Sequence, residues 1–214
     1  MKRWGALLLL FGLMGGLAGC FQFTPLTPQP QLLYSEDFSN PSTSAWLQDT
    51  DASGGWQIMN GRYYGMLTDD DSYYYVYSGA ISSLTDFRIV ATTSQQGTAA
   101  DHSWGIILRA SDEHFYAFEI SADGYYVFSV YTPSDWANLP EWQKTDKIRP
   151  AGQTNTLRVD ARGNSFSLYI NDQFVTTVQD GTLSSGSVGF IVETWTDPNG
   201  GAWFDNLEVW SLVD

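Results

Sequence analysis

The sequence predicts an all-β sandwich, on three grounds. Only 16% of its 214 residues are charged, 15% are aromatic and 20 are glycine, a balance that suits pleated, half-buried strands joined by turns. Apolar residues recur at period two along most of the chain, and no stretch of normal helix length carries an amphipathic 3.6 pattern. Dipeptides that close two-residue hairpins, Asn60-Gly61 and Asp123-Gly124, stand between apolar runs.

The densest alternation lies in Trp104–Thr132, which reads as three antiparallel strands with two short turns. Trp104, Ile106 and Leu108 share one face of the first strand, and Ile107 and Arg109 share the other. On the second, Tyr116, Phe118 and Ile120 oppose Phe115, Ala117 and Glu119. Large apolar groups on both faces place this meander mid-sheet, covered on both sides. One face takes a second sheet. The other, partly polar (Arg109, Glu119, Ser129) and partly aromatic (Phe115, Tyr131), is where a ligand would lie.

Around it the other elements follow in order. Leu32–Phe38 reads as a first strand, and Phe38 to Trp46 as a loop that drops an aromatic into the core. Gly54–Met59 and Arg62–Met66 flank Asn60-Gly61 as a hairpin. Asp69-Asp70-Asp71 form a loop, Tyr73–Tyr77 a strand aromatic on both faces, and Phe87–Gln95 the next strand. Residues 133–152 are the longest irregular region, with Trp136, Trp142 and a short edge strand at Glu141–Thr145. Thr156–Arg162 turns through Gly163-Asn164 into Ser165–Asn171, and Asn171-Asp172-Gln173 leads into Phe174–Val178. Gly186–Trp195 puts Val188, Phe190 and Val192 on one face and Ile191, Glu193 and Trp195 on the other. Trp203–Trp210 closes the domain. Trp46, Trp56, Trp104 and Trp210 are assigned to the core.

The N-terminus has a different character. Lys2-Arg3 make a basic start, Leu7–Leu17 an apolar run too short to span a bilayer comfortably, and Leu17-Ala18-Gly19-Cys20 follow, as in a secretory signal. These four residues resemble the lipobox of bacterial lipoproteins. That resemblance implies cleavage before Cys20, diacylglycerol on its sulfur, an acyl chain on its amine, and an extracytoplasmic place in the cell envelope. Each buried CH₂ of such chains contributes about 0.8 kcal/mol of anchoring. Cys20 is the only cysteine, so no intrachain disulfide forms. The layout is therefore residues 1–19 as signal, 20–32 as lipidated Cys20 and a tether extended by Pro25, Pro28 and Pro30, and 33–214 as the sandwich. The formal charge is −14, more negative still without Lys2 and Arg3. That field repels phosphate backbones and excludes nucleic acid as a partner.

Several stretches together resemble the concanavalin A-like lectin/glucanase superfamily, above all its laminin-G-like jelly rolls and the 3-keto-disaccharide hydrolase-like domains of bacteria. They are Trp104–Ala110, Tyr116–Ile120, Asp123–Tyr126, Asn155–Val159, Leu168–Asp172, Gly186–Phe190 and Phe204–Leu207, spread over nearly the whole domain. The resemblance implies a two-sheet antiparallel jelly roll of about 12–14 strands. It does not transfer a function, because this fold hosts lectins, hydrolases and adhesion modules.

Candidate chemistry is thin. Retaining glycosidases need two carboxylates about 5–5.5 Å apart. The superfamily's glucanases carry Glu-x-Asp-x-x-Glu on one strand, and no Glu-x-Asp occurs here. Glu119 and Glu193 are the only acids well inside central strands. They are weak acid and base candidates, against the structural reading of an Arg109–Glu119 salt bridge. His102 and His114 show no metal-ligand spacing. Calcium is the candidate cofactor, at Asp69, Asp70 and Asp71 or at Asp49-x-Asp51, since hard cations take clustered oxygens; the plainer reading is a solvated loop. Trp136, Trp142, Trp195, Trp203 and Tyr131 supply flat faces for pyranose rings, although a sandwich with nine tryptophans buries most of them. Three readings stand: a lectin-like domain that binds a polysaccharide or glycoconjugate through its concave face and rim loops, a glycosidase with Glu119 and Glu193 as acid and base, and an envelope module with a protein partner. The sequence leaves oligomeric state open.

Overall fold

The structure, a computed structural model, describes residues 29–97 and 101–213. Cys20 and the leader lie outside the described residues. Among the described residues there is no helix. The first half contributes β1 (Leu32–Glu36), β2 (Asp49–Thr50), β3 (Gly54–Met59), β4 (Arg62–Leu67), β5 (Ser72–Tyr77), β6 (Phe87–Gln95), β7 (His102–Ser111) and β8 (His114–Ser121). The second contributes β9 (Tyr125–Thr132), β10 (Asp135–Asn138), β11 (Gln143–Lys144), β12 (Asn155–Arg162), β13 (Ser165–Ile170), β14 (Gln173–Gln179), β15 (Ser187–Thr194) and β16 (Gly201–Ser211). The expected two-sheet sandwich is what forms. Its sixteen strands exceed the expected number partly through the two-residue pieces β2 and β11.

All pairings are antiparallel. One sheet of nine strands runs β14-β13-β12-β6-β16-β4-β3-β2, with β1 sharing an edge of β16. The other, of seven strands, runs β10-β9-β8-β7-β15-β5, with β11 sharing the β9 edge. The meander β7-β8-β9 is thus interior, as its two apolar faces require. β11 is the short edge strand expected near Glu141–Thr145, pairing Gln143 with Tyr126. Asn60 and Gly61 both take positive φ, 53° and 70°, between paired Met59 and Arg62, the backbone a two-residue hairpin needs. Asn171 and Asp172 do the same between β13 and β14.

Between the sheets lies an apolar core filled by alternate residues of both. Phe190 of β15 stacks on Phe204 of β16 with centroids 4.3 Å apart, and Trp46 stacks on Phe190 at 4.9 Å. Phe38 stacks on Tyr63 at 5.1 Å, so the Phe38–Trp46 loop does deliver aromatics inward. Each such pair adds about 0.5–1.5 kcal/mol beyond its buried area. Trp46, Trp56 and Trp104 are buried as expected. Trp210 is not: a bulge between Asp205 and Glu208, with Asn206 at φ 48°, sets the phase of β16 so that Leu207 and Val209 point inward. Trp210 lies half-buried on the outer face, donating from Nε1 to Glu208.

A second bulge corrects a more consequential expectation. Register shifts between Leu108 and Ser111, and Arg109 sits at φ 50°. The extra residue breaks the alternation. Arg109 turns to the core side, where its guanidinium lies 4.9 Å from the Phe166 ring centre and donates to the carbonyls of Leu183, Thr85 and Gly163 at 2.7–2.8 Å. Ala110 takes its place on the opposite face. The expected Arg109–Glu119 salt bridge does not form, and Arg109 leaves the candidate ligand face.

Candidate functional site

The seven-stranded sheet curls. Tyr73 of β5 and Tyr131 of β9 bring their hydroxyls to 3.2 Å, although β8, β7 and β15 lie between those strands. On a flat sheet four interstrand spacings of about 4.8 Å would separate them. The curl makes the outer face of this sheet concave and divides it. One half is a small apolar core of Ile107, Ala110, Phe115, Ala117 and Ile191, roofed by Tyr73, Tyr75, Tyr131 and Trp136. Trp136 meets Tyr73 edge-on at 4.9 Å. Tyr131 stacks on Phe115 at 5.0 Å, so its ring is engaged in packing.

The other half is polar. Glu119 of β8 and Glu193 of β15 flank β7, where Ser103 pairs with Glu193 and Gly105 with Glu119. Gly105 lets β8 come close: a Cβ there would sit 2.0 Å from the Phe118 carbonyl oxygen. Ser103 Oγ lies 2.8 Å from Glu119 Oε2 and 3.0 Å from Glu193 Oε2. A hydroxyl carries one proton, so both contacts are hydrogen bonds together only when one glutamate is protonated and donates to Ser103. Electrostatics favour that state. Burial raises the Glu119 carboxyl well above its ordinary range and the neighbouring Glu193 charge raises it further, against the Ser103 hydrogen bond. Burial also raises Glu193, opposed by the Ser103 and Trp195 side chains and assisted by the charge of Asp71. Glu119 is only 1% exposed.

Above this floor opens a pocket of about 250 Å³ lined by Glu119, Val127, Trp136, Asn138, Trp142, Glu193 and Trp195. Trp142 and Trp195 cross edge-on at 5.3 Å and also wall an adjoining pocket of about 360 Å³ with Ser121, Asp123 and Tyr125. Trp136 reaches the pocket from β10, Trp142 from the residue before β11, and Trp195 from the end of β15. The Trp195 loop is tied down. Asp101 Oδ2 accepts the backbone N–H of Thr196 and of Asp197 at 2.8 and 2.9 Å, together with the Thr196 hydroxyl. These bonds, the Thr196 hydroxyl foremost, hold its carboxyl down to about 2. His102 Nε2 lies 2.7 Å from the Asp197 carbonyl oxygen.

Five of the expected ligand residues therefore converge: Glu119, Glu193, Trp136, Trp142 and Trp195. Three do not. Arg109 is in the core, and Tyr131 is in the neighbouring aromatic cluster. Trp203 lies on the outer face of the other sheet, between stacked Tyr64 at 4.4 Å and the Arg62 guanidinium at 4.3 Å. The exposed Asp69, Asp70 and Asp71 serve through their backbone: Asp69 O accepts from Thr194 Oγ1, and Asp71 N donates to Trp195 O at 2.8 Å. Among the described residues no three His, Cys, Asp or Glu side chains gather where one metal ion could sit. Sequence reasoning missed Ser103 and Asn138. The phase of β7 marks Ser103 as sharing a face with Ile107; Asn138, in the irregular region, carries no such signal.

Comparison with solved structures places the fold. The family 66 carbohydrate-binding module from Bacillus subtilis superposes with a TM-score of 0.63 at 19% identity, covering 78% of this chain and 96% of that one. A protein from a study of endo-acting O-glycanases expressed by human gut microbiota gives 0.61 at 12% identity, with 85% and 100% covered. SCLam, a non-specific endo-β-1,3(4)-glucanase of family GH16, gives 0.60 at 10% identity, with 85% and 91% covered. At these identities the likeness is one of fold, that of a two-sheet antiparallel jelly-roll sandwich. No protein-family model and no curated protein matches the sequence.

Proposed function

We propose that the sandwich is a lectin-like domain that binds carbohydrate, without catalysis, in the concave pocket of its seven-stranded sheet. One observation carries the reading: three indoles stand over a floor of carboxylates in a single pocket. Indole faces match the apolar faces of pyranose rings, while Glu193, Glu119 and Asn138 offer partners to ring hydroxyls. The carbohydrate-active proteins that share the fold support it. A glycan array probed with the chain, run with calcium and again with chelator, tests it. A competable hit abolished by Trp195→Ala is the expected result, and loss in chelator would show that binding needs a divalent cation. A blank array with folded protein overturns the reading and favours a protein partner in the envelope.

Anchoring at Cys20 belongs to the same proposal, supported by Lys2-Arg3, the Leu7–Leu17 run and Leu-Ala-Gly-Cys. The short tether would hold the pocket near an extracytoplasmic membrane surface. Cells fed an alkyne-tagged fatty acid should label the chain but not Cys20→Ser; labelling of both removes the anchor.

A glycosidase is the second reading, favoured by the two raised carboxyls meeting at Ser103. One protonated and one ionised carboxyl is the acid–base division that glycoside cleavage uses. Hydrolysis of a bound glycan, lost in Glu193→Gln, would establish it.

A further inference from the structure

The charge of the pocket narrows the ligand. Glu193 and Glu119 form its floor, Asp123 stands in the adjoining pocket, and Asp71 acts on Glu193. Among the described residues no Lys, Arg or His lines either pocket. Lys144 of β11 rests its Nζ 5.1 Å from the centre of the Tyr125 ring. His102, next to Ser103 in β7, points to the opposite side, against Asp197. Arg109, the cation that strand alternation would have placed on this face, is turned into the core by its bulge.

Two further observations point to an occupant of positive charge. First, the nearly buried Glu119 lies beside Glu193 on the pocket floor, and the two carboxyls share the Ser103 hydroxyl. Second, the walls above are Trp136, Trp142 and Trp195, with Trp142 and Trp195 at 83° to each other. Indole faces carry negative potential and attract cations, more strongly where water is excluded. Desolvation and mutual repulsion burden the two glutamates, and a cation between carboxylate and indole relieves both.

We propose that the pocket selects an amine-bearing sugar, an N-unsubstituted hexosamine residue, its ammonium on Glu193 and Glu119 and its ring against the indoles. The inference rests on the carbohydrate-binding reading and adds the charge of the ligand to it. N-acetylation removes the positive charge, and a uronate or sulfate group meets repulsion from Glu193.

The test is a tryptophan-fluorescence titration of the full-length chain in mild detergent. The ligands are glucosamine, galactosamine and mannosamine, their N-acetyl counterparts, and the parent neutral hexoses. At least one amine should saturate the signal at a concentration about tenfold or more below its N-acetyl counterpart. Glu193→Gln, close in shape to the native residue, should reduce that preference to about twofold or less, and Glu119→Gln should weaken it. Equal response to amine and N-acetyl sugars overturns the charge preference and leaves the carbohydrate reading intact. A saturable response to none of the three sets overturns both. A preference retained in both variants overturns the assignment to these carboxylates.

Discussion

The outer faces of the two sheets treat charge in opposite ways. On the nine-stranded sheet, Arg88 grips Asp160 with two hydrogen bonds of 2.6 and 2.7 Å. Arg158 lies 3.5 Å from the centre of the Tyr169 ring, and Arg62 covers Trp203. Each of these cations is matched within its own sheet, and these contacts serve the fold. On the concave face of the seven-stranded sheet, two glutamates share one serine, and among the described residues no cation lines the pocket they floor. A folded chain carries such a cost where something else supplies the missing partner. The contrast separates a surface completed by its own residues from one completed by a ligand.

Breaking the contrast begins with the tryptophans. Trp195→Ala should cost glycan affinity about 2–3 kcal/mol, roughly 30- to 150-fold, while Trp203→Ala on the other sheet changes it by less than about twofold. Equal losses by titration would mean that the binding face has been misplaced. Next is the roof of the aromatic half: Trp136→Ala should lower unfolding free energy in urea by about 2 kcal/mol, because it uncovers Phe115 and Tyr73. An unchanged midpoint would show that the small apolar core stands without its roof.

Smaller effects test the charges themselves. Arg88→Ala should destabilise by about 0.5–1 kcal/mol, since the pair with Asp160 is partly solvated (35% and 16% exposed). Glu119→Gln should act in the opposite sense at alkaline pH. The Glu119 and Glu193 carboxyls are raised in the fold above their ordinary value of 4.5, so the folded chain holds more protons than the unfolded one. Their contribution is complete below about pH 4.5 and declines as pH rises through the raised values. Urea midpoints at about pH 5 and about pH 8 should therefore fall less in Glu119→Gln than in the native chain. A parallel fall in both would remove Glu119 as a buried titrating group.

The sequence by itself determined the class of fold and most strand positions. Period-two alternation of side chains is a local property, as is the positive φ that Asn60-Gly61 admits, so Phe87–Gln95 and the β3–β4 hairpin are legible residue by residue. It also set apart Glu119 and Glu193 as acids inside apolar strands, and the tryptophans of the long irregular region. Their convergence depended on strand order. β15 lies against β7 across more than 70 residues of intervening chain, which alternation does not encode, and only that adjacency brings Glu193 and Ser103 together. The tertiary structure alone decided the fate of Arg109 and Trp210, because one bulged residue in β7 and another in β16 reverse the side-chain phase beyond them. It also decided that Trp203 faces away from Trp195: the neighbouring strands β15 and β16 belong to different sheets, and the turn between them carries the chain from one face of the sandwich to the other.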